Sequence, residues 1–406
     1  MFRQVKIYLP LLTVAILFSI KGYTKELFIY HDADYSVNSV SANAMKMGFL
    51  TALDELGNDF SGYQLTFVEK NHRGNIKRSY KTMQQFLKSD NALFVLGGLH
   101  SPPYIKHRKF INENNILLLV PWAAGGPITR YPSADNWVYR LSIDDTKAGI
   151  RLSQHADQVL GCESPHMLLE NTPWGKSNFN TITSYYEGIK SVSVTWFDWN
   201  TKENVAKIKL REALGKNNDC IFLVANYAET QAIFNAMKTF PDNQQVPIIS
   251  HWGFTGGDIN KLMTPEVTER LKLSFIQSCY SFGSDKPQQG LDVLKRAQKL
   301  FPEADLAPEN IQAPAGFIHG YDLGKVALTA LKSVKLTGNI ASDRSKLKQA
   351  LESKELTAAG LIKQYNHPFS KWTEQQQDAH EALGLTDFCM ASFGEKNQIK
   401  VHKNTF

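Results

Sequence analysis

Aromatic and small polar residues recur where the apolar runs of this chain end. Asp32, Asp34 and Tyr35 follow Leu27–Tyr30; His100, Ser101 and Tyr104 follow Leu93–Leu96; and Trp122-Ala123-Ala124-Gly125-Gly126 follow Ile116–Val120. Further on, Glu170, Asn171 and Trp174-Gly175 follow His166–Leu169, and Asn226, Tyr227 and Glu229 follow Ile221–Ala225. His251-Trp252-Gly253-Phe254-Thr255-Gly256-Gly257-Asp258 follow Pro247–Ser250. One aromatic alone is ordinarily packing, because Trp and Tyr bury much area in any core. The set suggests binding: flat rings stack on, or make cation–π contacts with, a ligand at about 1 kcal/mol each. The Ser101 hydroxyl and the amides of glycine-bearing loops suit a carboxylate or another anionic oxygen.

Turnover chemistry is poorly represented. His380-Glu381 lacks the second histidine of a zinc-protease helix, and neither a Gly-x-Ser-x-Gly elbow nor a phosphate-binding Gly-x-x-x-x-Gly-Lys run occurs. The four cysteines, Cys162, Cys220, Cys279 and Cys389, have no zinc spacing. The expectation is a protein that is not an enzyme, with no cofactor and no metal.

The elements that would position these residues can be read from the runs themselves. Short, continuously apolar runs bounded by Gly and Pro fit strands buried on both faces of a parallel sheet. Leu93–Pro127 is the pattern in small: strand, glycine-bearing loop, helix, strand, glycine-bearing loop. Residues 27–120 alternate strand and helix, and the alternation restarts after Trp137–Leu141 with strands near 166–169, 192–197, 221–225, 247–250 and 273–280. The predicted fold is α/β, with two similar lobes, each a doubly wound, mostly parallel sheet flanked by helices, joined by a hinge that the chain crosses more than once. Lobe 1 is expected from 25–135 plus approximately 283–350, and lobe 2 from 136–282 plus part of 351–406. Ligands bind at the carboxyl edge of such sheets, so a cleft between the lobes is the expected site.

Residues 1–24 have the layout of a secretory signal: a basic start with Arg3 and Lys6, an apolar Ile7–Ile20, and small residues at Gly22 and Thr24, where cleavage is expected. The apolar run is shorter than the roughly 20 residues of a membrane-spanning helix, which favours export over anchoring. Losing Arg3, Lys6 and Lys21 lowers the net charge from +6 to +3, so nothing calls for nucleic acid. In an oxidising compartment the cysteines can pair. Cys162 and Cys220 each precede a predicted strand and would meet at the amino edge of the second sheet if those strands are neighbours; the other connectivities stay open.

The chain resembles the type I periplasmic substrate-binding proteins of ABC importers, in the branch that binds leucine, isoleucine and valine. The resemblance rests on the order and spacing of Leu96–Ser101, Val120–Ala124, Val138–Leu141, Glu170–Gly175, Ala225–Glu229 and Gly316–Ser333. It implies a carboxylate held by Ser101 with Ala123, Ala124 and Gly125, an aromatic closing over the ligand at Trp174, and a further contact at Tyr227. His100, Trp122 and Trp252 complete the candidate ligand site. Gly125 stands where amino-acid binders usually have threonine, and Thr255 where they have the acid that holds the ligand ammonium; Glu229 or Asp258 are the candidate charge partners. The resemblance implies a monomer in the periplasm that takes a small ligand, amino-acid-like, amide, aromatic or cationic, to ABC importer membrane subunits. A sensing module for a membrane signalling protein is the alternative, and an enzyme acting in the cleft the third reading.

Overall fold

The computed structural model describes residues 25–215, 217–283 and 288–403; the segment expected to be a signal, residues 1–24, lies outside them. In chain order the first sheet is built from β1 (Lys25–Ala33), α1 (Ser39–Leu56), β2 (Tyr63–Asn71), α2 (Ile76–Leu87), β3 (Ala92–Gly97), the short helices α3 (Ser101–Lys106) and α4 (Arg108–Glu113), β4 (Leu118–Val120) and β5 (Val138–Arg140). Its order is β2-β1-β3-β4-β5, and every pairing is parallel.

The second run comprises α5 (Asp145–Gln158), β6 (Pro165–Glu170), α6 (Pro173–Tyr186), β7 (Ser193–Phe197), α7 (Glu203–Leu214), β8 (Cys220–Val224), α8 (Tyr227–Met237), β9 (Ile248–Ser250), α9 (Ile259–Leu262), α10 (Pro265–Arg270) and β10 (Leu273–Ser278). The chain then forms α11 (Gln288–Leu300), α12 (Pro314–Lys332), α13 (Ile340–Leu351), a small hairpin β11 (Thr357–Ala359) and β12 (Gln364–Asn366), and finally β13 (Phe388–Phe393) and β14 (Ile399–His402). The second sheet runs β14-β13-β10-β9-β8-β6-β7, with β13 and β14 antiparallel. Its parallel part repeats the order of the first sheet, so each lobe has its topological switch next to its first strand.

The strand at 138–140 was expected to open the second lobe. It pairs with β4 instead, through Leu118↔Val138 and Val120↔Arg140, so the chain leaves the first sheet only after Arg140. Helices α12 and α13 return to the first lobe. Gly48 of α1 and Gly320 of α12 let the two backbones touch: a Cβ at Gly48 would lie 2.1 Å from the Phe317 carbonyl oxygen, and one at Gly320 would lie 2.4 Å from that of Met45. Arg344 of α13 donates to the Ala92 carbonyl at the start of β3 through both Nε (2.9 Å) and Nη2 (2.7 Å).

The chain passes between the lobes after β5, after β10 and between α13 and β13. A buried charge network fastens the first of these passages to the last. Arg140 Nη2 meets Glu381 at 2.7 Å and Asp144 at 3.0 Å, Arg130 forks onto Asp144 with both distances 2.8 Å, and Lys147 reaches Glu381 at 3.1 Å. Such a network is weak evidence for stability, because desolvation offsets most of the attraction, but it fixes geometry strongly. Here it grips the β4 loop, since Arg140 Nη1 donates to the Gly125 carbonyl at 2.7 Å and Arg130 Nη1 to that of Gly126 at 2.6 Å.

Cys162 and Cys220 form a disulfide, their strands being neighbours with Pro165 opposite Cys220, and Cys279 and Cys389 form a second between the edges of β10 and β13. Among the described residues no helix is long and apolar enough to cross a membrane.

Candidate functional site between the lobes

Loops from the carboxyl ends of both sheets meet across one cleft, and local sequence explains how each is held. After β6, Thr172 caps α6 by accepting from the Gly175 N–H at 3.3 Å, with Pro173 at the first helical position. Gly175 is required because a Cβ there would sit 1.8 Å from the Glu170 carbonyl oxygen. This turn aims Trp174 inward. Its indole N–H donates to Asp145 Oδ1 at 3.2 Å, and His251 Nε2 stands 3.1 Å from the same oxygen.

The inner half of the cleft is filled by indoles. Trp122 from the first lobe and Trp252 from the second meet edge to face, with centroids 6.2 Å apart and an interplanar angle of 82°. Trp252 also packs on His319 of α12 at 4.7 Å. Glycines make room for the rings: a Cβ at Gly316 would lie 2.4 Å from Trp122, and one at Gly253 2.6 Å from Trp174. The remaining space, between Leu99, Ser101, Trp122, Ala124, Trp174 and Trp252, is about 10 Å³, near the least that holds one water. Two loop amides are occupied too. The Gly125 N–H donates to Ser101 Oγ at 3.0 Å and the Gly126 N–H to Ser177 Oγ, across the lobes, at 3.1 Å.

The outer half is different. A cavity of about 120 Å³ lies between Asp34, Asn38, Arg73 and His100 of the first lobe and Trp199, Asn200, Asn226 and Glu229 of the second. It sits where the switch points of the two sheets face each other. Burial opposes ionisation of Asp34, but the Asn38 amide and the Ser36 and Val37 N–H groups outweigh it and hold its carboxyl below the usual range. Burial, with help from His72, lowers His100 to about 3, so the imidazole is neutral at pH 7. Behind the wall, burial and the neighbouring Glu229 carboxylate push Glu170 up to about 8. Glu170 receives the Asn226 amide at 3.1 Å and a hydrogen bond from Trp199.

The cleft thus brings together His100, Ser101, Ala124, Trp122, Trp174 and Trp252 on its inner side and His100 with Glu229 on its outer side. Ala123 is buried in the first-lobe core, and Gly125 lies under Ser101 and Ile105. Thr255 is buried, with its hydroxyl donating to the Trp252 carbonyl at 2.8 Å, and Tyr227 packs over Gly257. Asp258 caps α9 and pairs with Lys261 at 3.1 Å. Arg73, Trp199 and Asn200 are additions to the set read from sequence. They follow β2 and β7, strand ends whose loops carry no glycine-aromatic cluster; position directly after a predicted strand was the available signal.

Two α/β lobes of repeated topology, hinged by several crossings over a shared cleft, define a protein built to enclose a small molecule. A family model described as periplasmic binding protein matches residues 33–380, and the chain belongs to that family. Solved structures with the same fold include a leucine-binding protein from Thermotoga maritima (15% identity, TM-score 0.70, covering 93% of this chain and 97% of that one). A solute-binding protein from Rhodopseudomonas palustris in complex with 4-hydroxybenzoate is similar (14%, TM-score 0.74, 93% and 97%). So is a branched-chain amino acid binding protein from Streptococcus pneumoniae in complex with isoleucine (16%, TM-score 0.70, 93% and 100%). A comparison with curated protein sequences finds no significant match. The family is one of binding proteins rather than enzymes, and it implies a periplasmic location.

Proposed function

We propose that this chain is exported, loses residues 1–24 near Gly22 to Thr24, and works as a monomer that closes over a small organic ligand for uptake by an ABC importer. The observation that carries the reading is the cleft itself: strand-end loops of both lobes converge on it, and its wall is completed only when the lobes meet. Contacts made by both lobes in the closed form alone are what lets a ligand shift an open–closed equilibrium. Two disulfides support an oxidising compartment. The ligands named for the similar structures, isoleucine and 4-hydroxybenzoate, agree with an organic molecule of modest size.

Native mass spectrometry of protein purified without denaturation, followed by a thermal-shift screen of amino acids, aromatic acids, amides and amines, tests this. A co-purifying or stabilising small molecule supports it. Neither appearing would count strongly against it.

A further inference from the structure

The geometry points to the outer half of the cleft as the ligand seat, and to a small organic cation carrying a flat group and one hydrogen-bond acceptor as its occupant. This rests on the binding-protein reading and names the substrate class.

The inner half is built to be full. Its indoles occupy notches cut by Gly253 and Gly316, and the amides suited to a carboxylate are already taken by serine hydroxyls. A ligand carboxylate would find the Ser101 hydroxyl proton and the Trp122 indole N–H without partners, but the space beside them, about 10 Å³, holds no more than a water.

The outer cavity has size, charge and unmet bonding. An apolar cavity of about 150 Å³ admits a benzene ring, and this one, at about 120 Å³, opens past the exposed Arg73 and Val37, so part of a ligand can reach solvent. Inside, the fixed charges are carboxylates from opposite lobes. Asp34 is one, and Glu229, in the first turn of α8 where a helix favours an anion, is the other, its Oε1 accepting the Asn200 N–H at 2.9 Å. Arg73 adds a positive charge only at the rim. Trp199, half-buried and held by its bond to Glu170, offers the ring on which a cation or a flat group rests.

His100 supplies the unmet bond. Its Nε2 lies 3.3 Å from the Asn38 amide nitrogen, which can only donate, so Nε2 accepts and Nδ1 carries the proton. That Nδ1 is buried, without a partner, in a side chain that lines the cavity. That atom is closed to water here, so a ligand oxygen meets it only when the imidazole turns toward the cavity.

Isothermal titration calorimetry on the mature protein tests the assignment with three cations, phenethylammonium, tetramethylammonium and putrescine, against neutral 2-phenylethanol, benzoate and L-leucine. At least one cation should bind, with 2-phenylethanol and benzoate at least tenfold weaker. Trp199→Ala and Glu229→Gln should each weaken the cation about tenfold or more, with Trp199→Phe restoring most of it. Circular dichroism and a single cooperative unfolding transition check that these variants fold. If leucine or benzoate binds and the three cations do not, the cation seat is wrong while the binding-protein reading stands. If a cation binds equally well to both variants, the seat lies elsewhere. No binding by any probe, together with no small molecule in the native protein, would count against both.

Discussion

The two halves of the cleft draw on the same residue types, tryptophan, histidine and carboxylate, and use them in opposite ways. In the inner half the groups face one another: Trp122 on Trp252, Trp174 and His251 on Asp145, Ser101 on Gly125. In the outer half Asp34, His100, Trp199 and Glu229 line an open cavity of about 120 Å³. The difference teaches that an aromatic at a strand end is no guide to function until its neighbours are known. A glycine notch beneath the ring marks packing, and an open face marks a seat.

The sharpest way to break this comparison is truncation on each side. Trp122 is fully buried and seated over Gly316 of its own lobe, so Trp122→Ala should cost about 3–5 kcal/mol in urea-induced unfolding. Trp199 is half-buried beside an existing cavity, and Trp199→Ala should cost about 1 kcal/mol or less. A reversed order would mean that the outer tryptophan is the structural one.

Much of the fold was legible because it is written in continuous apolar runs. The strands at 166–169, 192–197 and 221–225 are found essentially where the runs place them. The helix α11 was not, since only one stripe of it, Gly290, Val293, Leu294 and Ala297, is buried and the remainder is polar. The edge strand β14 alternates burial too briefly to stand out. At the site, the loops after β3, β4, β6, β8 and β9 were legible as strand ends. What could not be read is depth: Gly316 lies beneath Trp122 across nearly two hundred residues, so the ring's role as filling is a tertiary fact. Arg73 at positive φ has no signature either, because the conformation is imposed by the turn into α2 and not chosen by the arginine.

A second prediction sharpens the outer half through pH. Glu170 ordinarily titrates near 4.5 and is pushed up to about 8 by burial and by Glu229. Between those values the unfolded chain is ionised there while the folded chain keeps the proton, so the folded state binds more protons and stability falls as pH rises. The slope from this residue is about 1.4 kcal/mol per pH unit at most and is confined to the window between the two values; the loss it adds up to is absent below the unfolded value and complete above the folded one. Glu170→Gln retains a hydrogen-bond acceptor for Asn226 and Trp199 but cannot ionise. Unfolding measured at pH 5, 6, 7 and 8 should therefore show the variant gaining on the wild type step by step. Parallel curves would mean that Glu170 ionises in the folded protein as it does in the unfolded chain.

The smallest expected effect separates folding from closing. Ser41 Oγ on α1 donates to the Gly256 carbonyl at 2.5 Å, and Ser177 Oγ accepts from the Gly126 N–H at 3.1 Å, so both bonds bridge the lobes. When the lobes part, each of these groups meets water and little is lost; only the closed state depends on them. A buried hydrogen bond of this kind contributes about 1 kcal/mol, so Ser41→Ala should weaken apparent ligand affinity about fivefold with almost no change in the free energy of unfolding of the unliganded open form. The pair shares no partner, so Ser41→Ala and Ser177→Ala together should weaken binding about 25-fold. If instead both substitutions destabilise the fold and leave affinity alone, the lobes are permanently joined, and the cleft is an interior surface instead of a gate.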